Sequence, residues 1–168
     1  MGLNSLDDVL QEQIKDLMSA EQQLVKALPK VAAAAHSDEL KQAIEHHLDE
    51  TRGHVMRLEE IAGQLGIPKT GTTCKAMEGL IAEGEEIIGK QGDPVAKDAA
   101  IIGAAQRIEH YEIAGYGTAR TLADELDLDD AKSLLDETLD EESNADKLLT
   151  KIATGGMLKS GVNQAAAR

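Results

Sequence analysis

Phenylalanine and tryptophan are absent from this 168-residue chain, and tyrosine occurs only twice, at Tyr111 and Tyr116. Strands favour aromatic and β-branched residues, so this shortage argues against a sheet, while the prominent Ala, Leu, Glu, Asp and Lys suit helices. Cys74 is the single cysteine, which excludes an internal disulfide framework and makes a reduced compartment the expectation. No uninterrupted apolar run approaches membrane-spanning length, and the first residues carry Asp7, Asp8 and Glu12 in place of a basic leader. A cytoplasmic location is expected. Basic residues are scarce as well: 17 Lys and Arg stand against 31 Asp and Glu, a formal net charge of -14. Such a surface does not neutralise phosphates, so neither nucleic acid nor an anionic membrane is an expected partner.

Between a few turn signals the chain reads as long helices. Ser5, followed three residues later by Asp8, resembles a capping box and opens a helix from about Leu6 into the 30s, with a kink expected at Pro29. Ser37 is placed to cap a second helix ending near Gly63, and 66–71 forms a loop around Pro68. A third helix, from about Thr73 to Ile88, serves as an extra packing element. Asp93 and Pro94 read as N-cap and first position of a fourth helix reaching about Leu126. Asp127 or Asp129 is expected to cap a fifth, which Gly155 and Gly156 should end. One helical domain over 1–156 and a loosely held tail over 157–168 follow. The expected class is all-α, an antiparallel four-helix bundle whose long crossover connection carries the additional helix.

Each of the four long helices has a carboxylate where its apolar stripe calls for a core residue. The first runs Leu10, Ile14, Leu17, Glu21, Leu24, Leu28 and the second Ala43, His47, Glu50, His54, Leu58, Ile61. The fourth runs Ile101, Ala105, Ile108, Glu112, Gly115, Ala119 and the fifth Leu135, Thr138, Glu142, Ala145, Leu149. Antiparallel packing would bring the four mid-points to one level. Two like charges about 4 Å apart repel by roughly 4 kcal/mol at an effective dielectric near 20, and no Lys or Arg lies on the stripes to offset this. Divalent cations would convert the repulsion into coordination.

Glu50 is followed at i+4 by His54, Glu142 at i+4 by Asp146, and Glu109 precedes Glu112 at i+3, so each pair can address one centre from one helical face. The candidate metal ligands are therefore Glu21, Glu50, His54, Glu109, Glu112, Glu142 and Asp146. Carboxylates with one imidazole suit iron or manganese, with zinc as a further alternative. His47 is read as a hydrogen-bond donor behind the ligands, with ligand and packed core histidine as its other readings. Tyr116, four residues after Glu112, either hydrogen-bonds a ligating carboxylate or fills space beside Gly115 and Ala119. Tyr111 reads as packing, and Cys74 and Glu78 as structural. Without metal, burial and repulsion are expected to raise the pKa values of Glu21, Glu50, Glu112 and Glu142.

The stretches Asp16-Leu17-Met18-Ser19-Ala20-Glu21-Gln22-Gln23-Leu24, His47-Leu48-Asp49-Glu50-Thr51, Cys74-Lys75-Ala76-Met77-Glu78-Gly79-Leu80 and Glu109-His110-Tyr111-Glu112-Ile113-Ala114 resemble the YciE/YciF group of ferritin-like bacterial proteins, more distantly related to rubrerythrins. The resemblance covers nearly the whole chain. It implies a ferritin-like bundle with a dinuclear iron-type site and a bacterial stress-associated role. It further implies that Glu21 and the Glu109/Glu112 pair are terminal ligands, that Glu50 and Glu142 bridge, and that His54 and Asp146 take the chelating positions. The spacing departs from the common Glu-x-x-His pattern, because Gly53 and Ala145 stand at i+3.

The leading functional expectation is a dinuclear iron or manganese protein that reacts with oxygen or peroxide. No rubredoxin-like cysteine pairs are present, so a redox activity would draw on an external electron donor. The competing class is a dimeric helical scaffold, metal-free or structurally metallated, whose polar centre fixes helix register; iron storage is the third. A homodimer is the expected assembly.

Overall fold

The computed structural model describes residues 2–70, 72–156 and 159–167. It is all-α apart from one two-residue strand pair: α1 (Leu6–Ala34), α2 (Asp38–Leu65), α3 (Lys75–Gly89), α4 (Pro94–Glu125), α5 (Asp129–Thr154), β1 (Gly155–Gly156), β2 (Lys159–Ser160) and α6 (Val162–Ala166). The caps explain most boundaries. Ser5 accepts a hydrogen bond from the Asp8 amide, Ser37 from Leu40 and Asp93 from Ala96, each satisfying an amide that a helix start leaves without a partner. The Asp8 carboxylate answers through the Asn4 amide, one residue earlier than a capping box has it. Pro29 lies within α1.

Two boundaries differ from the sequence reading. Asp127 does not cap α5 but takes the left-handed conformation that closes α4, at φ 55°, where the Leu128 amide reaches back to the Ala123 carbonyl. Asp tolerates that region because its short polar side chain bonds locally. Leu128 then stands at the start of α5 without a side-chain cap, and Asp129 and Asp130 contribute only charge to its first turn. The start of α3 is capped by the Cys74 thiol, which accepts from the Met77 amide.

α1 packs against α2 and α4, and α5 against the same two helices, so α1 and α5 lie on one diagonal and α2 and α4 on the other. The chain crosses that second diagonal through α3, which lies over α1 and α4, while α6 covers α4 and α5. This explains why the apolar residues of α4 spread around its circumference: neighbours cover it on several sides. Buried Asp98 ties the top of the bundle, accepting from the His36 and Ser37 amides at 2.8 and 2.7 Å and so fixing the α1–α2 turn on α4.

Of the expected tail, positions 157, 158 and 168 lie outside the described residues. The rest returns through the strand pair, and Val162 of α6 packs on the core. Gly161 is held against the end of α5, where a Cβ would come within 2.3 Å of the Gly155 nitrogen.

Two apolar clusters fill the bundle. One joins Leu24, Leu28, Leu40, Ile44, Met77, Ile101, Ile102 and Leu149 at the α1–α2 turn end; the other joins Leu10, Ile14, Leu17, Leu58, Ile61, Tyr116 and Leu135 at the opposite end. Full burial of such aliphatic side chains contributes about 1.5–3 kcal/mol each. That stabilisation is enough to hold the helices at fixed spacing around the polar layer between the clusters.

Candidate metal centre

Glu21 comes from α1, His47 and His54 from α2, Glu109 and Glu112 from α4 and Glu142 from α5, and all six are buried. They form two overlapping sets of potential metal donors that share Glu142: Glu21, His54 and Glu142 in one, His47, Glu109, Glu112 and Glu142 in the other. In the first, the His54 Nδ1 stands 3.2 Å from Glu21 Oε1 and 3.0 Å from Glu142 Oε1. In the second, the His47 Nε2 stands 3.5 Å from Glu109 Oε1 and 3.8 Å from Glu142 Oε2.

Each imidazole has a carboxylate behind it. His54 places Nε2 2.9 Å from Glu141 Oε2, and Arg57 clamps Glu141 by donating to Oε2 at 2.6 Å and to Oε1 at 3.0 Å. His47 places Nδ1 3.6 Å from Glu50 Oε2, and Glu50 also meets the exposed His46 at 3.3 Å. A carboxylate on the far nitrogen orients an imidazole and sets which nitrogen faces the ligand side, an arrangement common behind metal-bound histidines. Tyr116 donates its hydroxyl to Glu21 Oε1 at 2.5 Å.

The buried donor atoms are short of partners. Among the described residues, the buried side-chain nitrogens and oxygens that lack a hydrogen bond are Glu21 Oε2, both His47 nitrogens, His54 Nδ1, Glu109 Oε2 and both oxygens of Glu112 and Glu142. The approaches of His54 Nδ1 to its glutamates are thus ion-pair contacts without hydrogen-bond geometry. Buried polar atoms are ordinarily satisfied, and leaving one unpaired costs about 1–3 kcal/mol. A concentration of such atoms at one level, all belonging to oxygen and imidazole donors, fits divalent cations bound by carboxylate and histidine. The charges fit as well, since two divalent ions would neutralise the four carboxylates of Glu21, Glu109, Glu112 and Glu142.

The titration behaviour has the same origin. Burial raises the pKa of Glu109 well above its usual value, aided by Glu142 and opposed by His47, and burial raises Glu112 well above its own, reinforced by Glu142, Glu21 and Glu109. Glu142 is also raised by burial, with His54 opposing. Burial works against the His54 imidazolium, but Glu142 and Glu21 outweigh it and push its pKa up to about 11. For His47, burial is likewise outweighed by Glu109 and Glu50, and the pKa rises. Glu50 departs from the expectation of a raised value: its contact with His47 overcomes desolvation and lowers it.

Of the candidate ligands, the structure brings together Glu21, His54, Glu109, Glu112 and Glu142, and adds His47. Glu50, 23% exposed, stands behind His47. Asp146 lies outside both sets, accepting from Gln106 Nε2 at 2.9 Å with His110 at 3.5 Å. An Asp side chain is one methylene shorter than Glu, and this one stays at the α4–α5 seam. Sequence reasoning missed Glu141 and Arg57 altogether. Glu141 lies one position off the α5 stripe and faces α2, and the i, i+3 spacing of His54 and Arg57 on α2 was the available signal.

The comparisons agree with this architecture. Residues 5–167 match the family described as "Domain of unknown function (DUF892)". Protein YciF of Escherichia coli (strain K12) is 41% identical over 166 residues, covering 98% of this chain and all of that one. The crystal structure of the E. coli stress protein YciF superposes with a TM-score of 0.88, covering 94% of this chain and 99% of that one at 41% identity. YcfI of Rhodopseudomonas palustris gives 0.86 at 40% identity, with 90% and 96% covered. A structure of ferritin-like, diiron-carboxylate proteins from Bacillus anthracis str. Ames shares the fold at a TM-score of 0.68 and 18% identity, with 88% and 97% covered. The bundle is therefore ferritin-like, and by a match spanning nearly its whole length the chain belongs to the DUF892 family, to which the YciF resemblance pointed.

Proposed function

We propose that this chain is a dinuclear metal protein, with iron or manganese in the two overlapping donor sets, that reacts with oxygen or a peroxide. The observation that carries the reading is the concentration of unpartnered buried donor atoms on Glu21, His47, His54, Glu109, Glu112 and Glu142. His54 through Nδ1, Glu21 and Glu142 would hold one ion, and His47 through Nε2, Glu109 and Glu112 the other, with Glu142 common to both donor sets. When bound, such ions supply Lewis acidity and one-electron chemistry. The chain's own groups orient and insulate. Arg57 and Glu141 lock the His54 ring, Glu50 backs His47, the Tyr116 hydroxyl holds a proton at Glu21 Oε1, and the two apolar clusters flank the donor layer. The description of the E. coli relative as a stress protein supports a stress-associated role; a redox activity would draw electrons from an external donor.

Anaerobic loading with ferrous iron tests this: two tightly held ions per chain and a raised melting temperature are expected. Less than about one ion per chain with unchanged melting would overturn it.

A second reading is favoured by the His54 contacts with Glu21 and Glu142, which let a protonated imidazole supply counter-charge without metal. The chain would then be a dimeric helical scaffold, in line with the provisional description of the Rhodopseudomonas relative as a structural protein. Unchanged structure on metal addition, together with a dimer on sizing, would support that reading over the first.

A further inference from the structure

A cavity of about 140 Å³ lies among α1 to α5, lined both by the exposed Lys30 and Glu85 and by the buried donors His47 and Glu109. Its walls are aliphatic, formed by Leu24, Val31, Ile44, Ile81, Ile101 and Ile108. Besides Lys30 and Glu85, the polar lining is His46, His47, Glu50, Glu109 and Asn144. At the rim, Lys30 and Glu85 already satisfy each other at 2.9 Å. At the inner end stand His47, Glu50 and Glu109, and there both His47 nitrogens and Glu109 Oε2 lack a hydrogen-bond partner although their side chains are only 8% and 4% exposed. Aliphatic walls with unsatisfied buried polar atoms at one end define an amphiphilic ligand by their chemistry.

We propose that this cavity binds a small unbranched aliphatic molecule of about six carbons carrying one uncharged terminal oxygen, with that oxygen at His47 and Glu109. The size follows from volume, since an apolar cavity of about 150 Å³ accepts benzene. In the metal-free chain the inward oxygen follows from the unpartnered atoms, which gain a hydrogen bond only if the polar end enters first; with an ion held by those donors, the same end would face the ion. The head is uncharged because an anion would approach Glu50, Glu109 and Glu142. Alcohols and aldehydes share this chemistry, so the site would deliver an organic substrate, beyond oxygen or simple peroxide, to the proposed metal centre. The substrate role rests on the metal-centre reading; the binding itself does not.

The test uses the full chain, metal-free, with 1-hexanol as probe, followed by calorimetry and by histidine ring resonances. Saturable binding at one site is expected. Each buried methylene contributes about fourfold in affinity, so 1-butanol should bind about 16-fold more weakly, and 1,6-hexanediol, with a hydroxyl among the aliphatic walls, at least about tenfold more weakly. The His47 resonances should shift while those of His110, which does not line the cavity, stay fixed.

Gly84 shares its face of α3 with Ile81 and Ile88, and a Cβ there meets nothing within 4 Å, so Gly84→Leu can obstruct the rim without displacing a neighbour. It should reduce 1-hexanol binding at least about tenfold with melting temperature and metal loading maintained. Ala105→Leu, one turn before Glu109, should do the same at depth. Absence of saturable binding, binding that survives Gly84→Leu, or unmoved His47 resonances would overturn the proposal. Metal loading measured separately distinguishes the two readings: 1-hexanol binding without metal uptake removes the metal centre alone, and metal uptake without 1-hexanol binding removes the ligand site alone.

Discussion

The His54 side of the donor cluster is closed, whereas the His47 side faces the aliphatic cavity. Around His54, the Arg57–Glu141 clamp and the Tyr116 hydroxyl on Glu21 leave little freedom, and Glu21, His54, Tyr116 and Glu142 are fully buried. Around His47, the backing carboxylate Glu50 is partly exposed and shared with His46, and its contact with His47 is 3.6 Å. Equivalent parts are thus finished for different work. On the proposed reading, the closed side would retain an ion and the open side would admit a ligand to it. The asymmetry arises within α2, because His47 and His54 are seven residues apart, two helical turns, and face the cluster from above and below.

Glu142 is where the two sides meet, so its removal should have the largest effect. Glu142→Ala is expected to abolish tight binding of both ions, with elemental analysis showing less than about 0.2 ion per chain. Retention of one ion would show that the two sets are independent.

The backing carboxylates come next. Glu141→Gln should weaken the His54-side ion by about 10–100-fold. Glu50→Gln should weaken the His47-side ion by less, because its support is looser. Competition titration with a chelator reads both, and equal effects would erase the asymmetry.

Tyr116→Phe removes the donor to Glu21 without changing the packed ring. A loss of about 1.5–3 kcal/mol in denaturant melts of the metal-free protein is expected, the range for a hydrogen bond to a charged group. A loss no greater than that of Tyr111→Phe, whose hydroxyl instead joins Asp16 and Cys74, would remove the special standing of the closed side.

The pH trend is the mildest effect and has a definite sign. Glu109, Glu112 and Glu142 have raised folded pKa values, as do His47 and His54, so the metal-free folded state binds more protons than the unfolded one. Their stabilising contribution is full below about pH 4.3 and is lost as pH rises, the last of it through the His54 pKa. That final loss is centred at about 11. Bound metal keeps the same ligands deprotonated, so the loaded form should instead lose stability as acid displaces the ions. Melts of both forms between about pH 5 and 8 should slope in opposite directions, and parallel slopes would contradict a shared metal site.

Much of this was legible because the signals were local. Ser5, Ser37, Asp93 and Gly155 marked their helix ends directly, and Glu21, Glu112 and Glu142 stood out as carboxylates on apolar stripes. His47 and Glu50 were harder, because both lie on the α2 stripe and spacing alone does not decide which points inward. Burial and the position of α5 against α2 decide it. Glu141, Arg57 and Asp98 act across helices, joining residues 84 positions apart at Arg57–Glu141 and 62 apart at His36–Asp98, beyond the reach of any local pattern. The cavity was invisible for a related reason: its wall is assembled from five helices and exists only once they are packed.

The most direct measurement is an anaerobic titration of the metal-free chain with ferrous iron, read by calorimetry and by melting temperature at each addition. The account predicts two binding steps that differ in affinity, with Glu141→Gln weakening mainly the tighter one. A flat titration with unchanged melting, or a single step insensitive to Glu141→Gln, would contradict it.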